Sequence, residues 1–211
     1  MTSSQAAGPG LVVRVRPPSY RWRTVDIIVA SVIAAVFGAV YWGWDNASAA
    51  LTAAFTWFPP SAGIIAGVWW MSGVVGALVI RKPGAAIYTE ALAGLFSALI
   101  AVQWSSSSII VYGIVQGLGA ELAFAAIRYR SFRLPVAVAA GALSALAEGV
   151  LDLWIYRYYP EFSPGWQLAY LGVLLLSGVV IAGWVCWAIT RALAATGVLA
   201  PFGSGRQQKS I

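Results

Sequence analysis

The sequence predicts an all-α membrane protein of six transmembrane helices with both termini in the cytoplasm. Three observations carry that prediction. Of the 211 residues, 60% are hydrophobic and 9% are charged, against about 45–50% and about 25% in soluble domains. The apolar residues gather in runs close to the roughly 20 residues a helix needs to cross about 30 Å of hydrocarbon. The cations sit between those runs with a strong bias to one side. With six crossings, Arg14, Arg16, Arg21, Arg23, Arg81, Lys82, Arg128, Arg130, Arg133, Arg191, Arg206 and Lys209 share one face, and Arg157 alone takes the other. The positive-inside rule makes the crowded face cytoplasmic.

Residues 1–24 form a basic cytoplasmic arm, whose apolar cluster Leu11-Val12-Val13 is too short for the core of a signal peptide. Residues 25–192 make up the six-helix membrane domain, and 193–211 a cytoplasmic tail that is polar and disordered beyond Pro201. The first span runs from Val25 to Trp44. An external loop, with or without a short surface helix, follows over 45–60, with Asp45, Asn46, Trp57 and Pro59-Pro60 as its polar and breaking residues. The remaining spans fall at 62–80, 84–102, 109–127, 135–156 and 167–191. Trp42, Trp44, Trp104, Trp154 and Trp166 then lie at the outer interface, and Trp184 and Trp187 at the inner one, as aromatic belts do. Small residues recur every four positions: Ala30, Ala34 and Gly38 on the first helix, Gly63 and Gly67 on the second. Gly113 and Gly117 do so on the fourth, and Ala137, Gly141, Ala145 and Gly149 on the fifth. Such stripes let helices approach closely in lipid, within the chain or, for the first helix, against another membrane subunit.

Composition narrows the chemistry. With no histidine and one cysteine, Cys186, a disulfide framework is excluded, and neither a zinc site nor histidine-based catalysis is expected. No metal and no cofactor is expected, and the chain is not expected to be an enzyme. Neither lysine stands in a phosphate-binding G-x-x-x-x-G-K-[ST] loop, so uphill transport would need an external motor or an ion gradient. The net charge of +6 does not imply nucleic acid, because the cations are dispersed among the turns.

The acids are the informative residues. Glu90, Glu121, Glu148 and Asp152 fall within or near spans, where an ionisable group is costly and marks a site by default. No Lys or Arg stands mid-span to neutralise them. Glu121 shares a helix face with Gly117 and Gly113, at i−4 and i−8, which predicts a groove above the acid. Gln116 lies on the adjoining strip with Tyr112 one turn away. Glu148 and Asp152, at i and i+4, stack on the fifth helix beside Trp154 and repel one another, as suits a site awaiting a cation. Trp69 and Trp70 sit mid-span, away from both belts; each alone is expected as lipid-facing or core bulk, with an aromatic wall inside the bundle as the alternative for at least one of them. An acidic, aromatic, amide-bearing interior complements a small, flat, cationic or hydrogen-bond-donating molecule.

The stretch Arg81-Lys82-Pro83-Gly84-Ala85-Ala86 leading to Thr89-Glu90, then Gln103-Trp104-Ser105 and Gln116-Gly117-Leu118-Gly119-Ala120-Glu121-Leu122 before Arg128-Tyr129-Arg130, resembles the YkoE-type substrate-binding (S) components of energy-coupling factor (ECF) transporters over about residues 20–195. That resemblance implies a membrane subunit capturing thiamine or its hydroxymethylpyrimidine moiety at the outer face, working with a transmembrane coupling (T) subunit and cytoplasmic ATPases. By the motifs it carries over Glu90, Gln116 and Glu121 as substrate-binding residues. Position and chemistry add Glu148, Asp152, Tyr112, Trp57 and Trp154. The Ala30, Ala34, Gly38 stripe resembles the surface by which such components dock on the coupling subunit. An S component for another vitamin, or a proton-coupled carrier of a small organic cation, remains the alternative.

Overall fold

A computed structural model describes residues 20–55, 57–100, 106–202 and 204. The expected arm up to residue 19, Trp104 and the tail from 205 lie outside the described residues.

The described chain is helical from end to end. Helix α1 runs Thr24–Ala53 and opens on a cap in which the Asp26 carboxylate accepts from both the Arg23 backbone N–H, at 2.7 Å, and the Arg23 guanidinium. It does not stop at Trp44; the stretch expected as a loop continues the helix to Ala53. Alanines there favour helix, and Ser48 and Thr52 turn their hydroxyls back onto the carbonyls of Asp45 and Ser48. Asp45 does not break the helix either, because its carboxylate is engaged sideways by Trp69 Nε1 at 2.8 Å.

The next span is split. Pro59–Trp70 winds as a 3₁₀-helix of 12 residues, and only Met71–Ile80 is α-helix (α2). Such long 3₁₀ runs are uncommon. At about 2.0 Å per residue this half is stretched and narrow. Helix α2 is apolar all round, and every residue from Ser72 to Ile80 is buried, as an element hydrophobic on every face must be. The turn that follows holds Arg81 at φ 58° and Gly84 at φ 83°, and returns the chain as α3, Ala85–Ile100.

Helix α4 is Ser106–Ala126 and α5 is Leu134–Val150. The latter widens into a π turn over Leu151–Ile155. Ser163 caps α6, Pro164–Ser177. A second π segment, Gly178–Val185, joins it to α7, Cys186–Ala195. Five of the continuous helical runs are long and apolar enough to cross a membrane; α3, at 16 residues, is a shorter apolar helix.

Helix α3 lies between α1, α2 and α4, and glycine makes the approach possible. A Cβ on Gly76 would stand 2.2 Å from Thr89 Oγ1, and one on Gly117 2.8 Å from the Ile87 Cα. The stripe Ala30, Ala34, Gly38 belongs to the same seam: both alanines have no exposed surface, and a Cβ on Gly38 would meet Phe96 Cβ at 2.5 Å. These residues pack against α3 inside the molecule, so they cannot be the docking surface the sequence suggested. The surface of α1 is its opposite face, through Ile28, Val32, Val36 and Val40. The tail also folds back further than expected: Phe202 and Ser204 are buried, with Ser204 Oγ 3.4 Å from the Val79 carbonyl.

Candidate functional site

A cavity of about 420 Å³ opens at the end of the bundle opposite the turns that carry Arg81, Lys82 and Arg128. Its walls come from the C-terminal half of α1, the 3₁₀ segment, the end of α3, the start of α4 and the end of α5. Four carboxylates line it (Asp45, Glu90, Glu148 and Asp152), and among the described residues no lysine or arginine does.

Each acid is held by a donor from another element. Glu90 lies at the inner end, 1% exposed, accepting from Tyr41 Oη at 2.9 Å and from the Gly73 N–H at 2.5 Å. Glu148 accepts a hydrogen bond from Gln116 Nε2, and Ser144 Oγ donates to the Gln116 carbonyl at 2.9 Å, tying α4 to α5 at that level. The indole N–H of Trp70, fully buried, faces the same carboxylate without completing a hydrogen bond. Asp152 accepts from two tyrosines at once, Tyr112 Oη and Tyr170 Oη, each at 2.6 Å. The π turn places it: the extra residue per turn re-aims the side chain, as such bulges do at functional sites.

Aromatic rings form the rest of the wall. Tyr112, Tyr156 and Tyr158 lie nearly parallel, with centroids 5.3–6.5 Å apart and planes within 16°. Beyond the spans, burial beside the Asp152 charge raises the Tyr158 and Tyr159 hydroxyls above the usual phenol range, so both remain neutral donors. Trp69 completes the wall, its N–H fixed by Asp45.

Of the residues predicted from sequence, the cavity gathers Glu90, Gln116, Glu148, Asp152 and Tyr112. It does not gather Glu121, Trp57 or Trp154. The expected groove above Glu121 is filled: Gly113 and Gly117 receive the α3 backbone, and Glu121 on the same face reaches the start of α3. There it accepts from Gly84 N–H at 2.7 Å, Ala86 N–H at 2.9 Å and Tyr129 Oη at 2.7 Å. It is a helix cap supplied by a neighbouring helix, close to the cation-bearing turn. Burial and this bond raise the Tyr129 hydroxyl. Burial lowers the nearby Arg81 guanidinium to about 10, and its Cζ lies 4.9 Å from the centre of the Phe132 ring. Trp57 is 76% exposed and meets Phe55 and Phe58 at tilted angles; Trp154 is half exposed on the outside of the bundle.

Sequence reasoning missed Tyr41, Asp45 and Tyr170 as wall residues. For Tyr41 and Asp45 a signal existed: Ala34, Gly38, Tyr41 and Asp45 continue one inward stripe at i, i+4, i+7 and i+11. Tyr170 has no such mark, because only the approach of α6 to the π turn brings it to Asp152.

Known proteins share this architecture. Residues 25–147 match the family model for the permease component of an ABC-type cobalt transport system. The chain is 38% identical over 188 residues to the candidate HMP/thiamine permease protein YkoE of Bacillus subtilis (strain 168), covering 89% of this chain and 92% of that protein. It is also similar to the crystal structure of an S-component of an ECF transporter, at TM-score 0.83 and 38% identity, covering 90% and 94% of the two chains.

Proposed function

The chain belongs to the YkoE-type family of S components of ECF transporters, and from that membership we propose that it captures thiamine or its hydroxymethylpyrimidine moiety from outside the cell. It is a multi-pass cell-membrane transport subunit and not an enzyme. The observation that carries the ligand is the cavity: four carboxylates, parallel tyrosines and Trp69, with no lysine or arginine among the described lining residues. A thiazolium supplies the missing positive charge, and rings over Tyr112 and Trp69 gain cation–π and stacking attraction. An aminopyrimidine edge has a donor beside an acceptor, which the Gln116 amide and the Glu148 carboxylate complement.

The membrane arrangement belongs to the same proposal. Helix α3 forms a sixth crossing, both termini face the cytoplasm, and the division into arm, 25–192 and tail follows. The cavity then opens outward. Movement of the ligand inward is driven by a coupling (T) subunit and ATPases, since the chain has no nucleotide-binding loop.

Purified protein should bind thiamine or hydroxymethylpyrimidine with quenching of tryptophan fluorescence, most of which disappears in Trp69→Phe. Folded protein that binds neither compound would remove the specificity. Uptake that persists without ATPase subunits and collapses with the proton gradient would replace the importer by a proton-coupled carrier.

A further inference from the structure

The inner half of the split span begins inside the protein. At Trp70 the backbone leaves the 3₁₀ geometry through φ −112° and ψ 1°, and α2 starts at Met71 with no side chain of its own to cap it. The free N–H groups of a first helical turn need partners, and at membrane depth water does not supply them. Two other spans do. The Ser72 N–H donates to Tyr41 Oη at 3.0 Å, and the Gly73 N–H donates to Glu90 Oε2 at 2.5 Å. Tyr41 Oη in turn donates to Glu90 Oε1 at 2.9 Å. One hydroxyl from α1 thus accepts from α2 and donates to α3.

The stem of Glu90 has little freedom. A Cβ on Gly73 would lie 3.0 Å from Glu90 Oε2, and one on Gly117 would lie 3.1 Å from Glu90 Cβ. What remains adjustable is the rotation of the carboxylate about its own bond, and the two hydrogen bonds set that. A carboxylate offers about four lone-pair sites. Tyr41 and Gly73 occupy one on each oxygen, and Glu90 itself lines the cavity with Tyr41 beside it.

We infer that Tyr41 is a positioning residue for the ligand: its hydroxyl sets the Glu90 carboxylate against the start of α2, so that the remaining lone pairs meet a hydrogen-bond donor on the ligand. The inference rests on the reading of this cavity as the vitamin site. It also gives a reason for the break in the span. The N–H groups of the buried helix start and the Tyr41 hydroxyl together anchor the acid from the side away from the ligand, with no lysine or arginine among the described lining residues to compete with a cationic ligand.

The test is a double-mutant cycle on ligand affinity, because a residue acting through Glu90 loses its effect once Glu90 is altered. Thiamine and hydroxymethylpyrimidine are titrated against the wild type, Tyr41→Phe, Glu90→Gln and the double variant, each checked for folding by its thermal transition. Tyr41→Phe should weaken binding by about ten-fold in the wild-type background, as loss of a hydrogen bond to a charged group does, and by less than about two-fold when Glu90→Gln is present. Equal losses in both backgrounds, or no loss in either, overturn the positioning role while leaving the cavity reading intact. Wild-type protein that binds neither compound overturns both. Tyr41→4-aminophenylalanine keeps a donor at the same reach and covers the case in which Tyr41→Phe does not fold. It should stay within about three-fold of wild type when Glu90 is intact, on the same hydrogen-bond scale. A ten-fold loss there overturns the inference.

Discussion

Two polar side chains of one helix show how residue chemistry depends on what a side chain meets. Gln116 and Glu121 are five positions apart on α4, and the sequence offers both as ligand contacts. Gln116 turns to the cavity and donates to Glu148, whereas Glu121 turns to the start of α3 and holds its N–H groups. Their substitutions should therefore separate. Gln116→Ala should weaken thiamine binding by about ten-fold with a small change in thermal stability, since it removes a polar contact at the edge of a preformed cavity. Glu121→Gln should do the reverse, lowering stability by about 1–3 kcal/mol because the new amide faces backbone donors, with affinity within about two-fold. Titration of ligand and a thermal melt on each variant distinguish the two. If Glu121→Gln abolished binding without unfolding, its place as a cap would be the wrong account.

At the scale of elements, glycine decides how close the helices come. Gly76 faces Thr89 at a distance no Cβ tolerates, and Gly141 faces the Gly178 carbonyl with an ideal Cβ only 2.1 Å away. The second contact is backbone to backbone, so no side chain can move aside to relieve it. Gly76→Ala should cost about 1–3 kcal/mol by overpacking; Gly141→Ala should cost at least as much. Thermal unfolding in detergent reads both. Substitution at Gly43, where a Cβ meets nothing within 4 Å, is the matched control and should change stability little. The split of the second span belongs to this scale as well. Its stretched outer half carries Ala62, Ile65, Ala66 and Trp69 into the cavity wall, and its α-helical inner half is the most enclosed part of the chain.

For the whole molecule, the arrangement of charge and cavity predicts direction. The cations cluster at one end with Asp26, which bonds both Arg23 and Lys82; that bond raises the Arg23 guanidinium. The acidic cavity opens at the other end. Single cysteines placed at Glu161 and at Arg130, in a Cys186→Ser background, test the orientation in intact cells. A membrane-impermeant thiol reagent should label Glu161→Cys and spare Arg130→Cys until the membrane is opened. Labelling of Arg130→Cys first would invert the topology and close the proposed route of capture.

Class, approximate spans and the family were legible without coordinates, because they rest on quantities that accumulate along the chain. Apolar run length, the sidedness of cations and contiguous motifs such as Arg81–Glu90 need no knowledge of which helices touch. The candidate acids were legible for the same reason: a carboxylate in a span is conspicuous wherever it points. Three features needed the third dimension. Whether Ala30, Ala34 and Gly38 face a partner or α3 depends on the rotation of α1, which a stripe of small residues does not specify. Whether Glu121 or Tyr41 meets the cavity depends on the approach of α3 to α4 and of α1 to α2. The break at Trp70 has no proline or charge at the junction to announce it, and the hydroxyl and carboxylate that receive its free N–H groups are brought to that depth by two other helices.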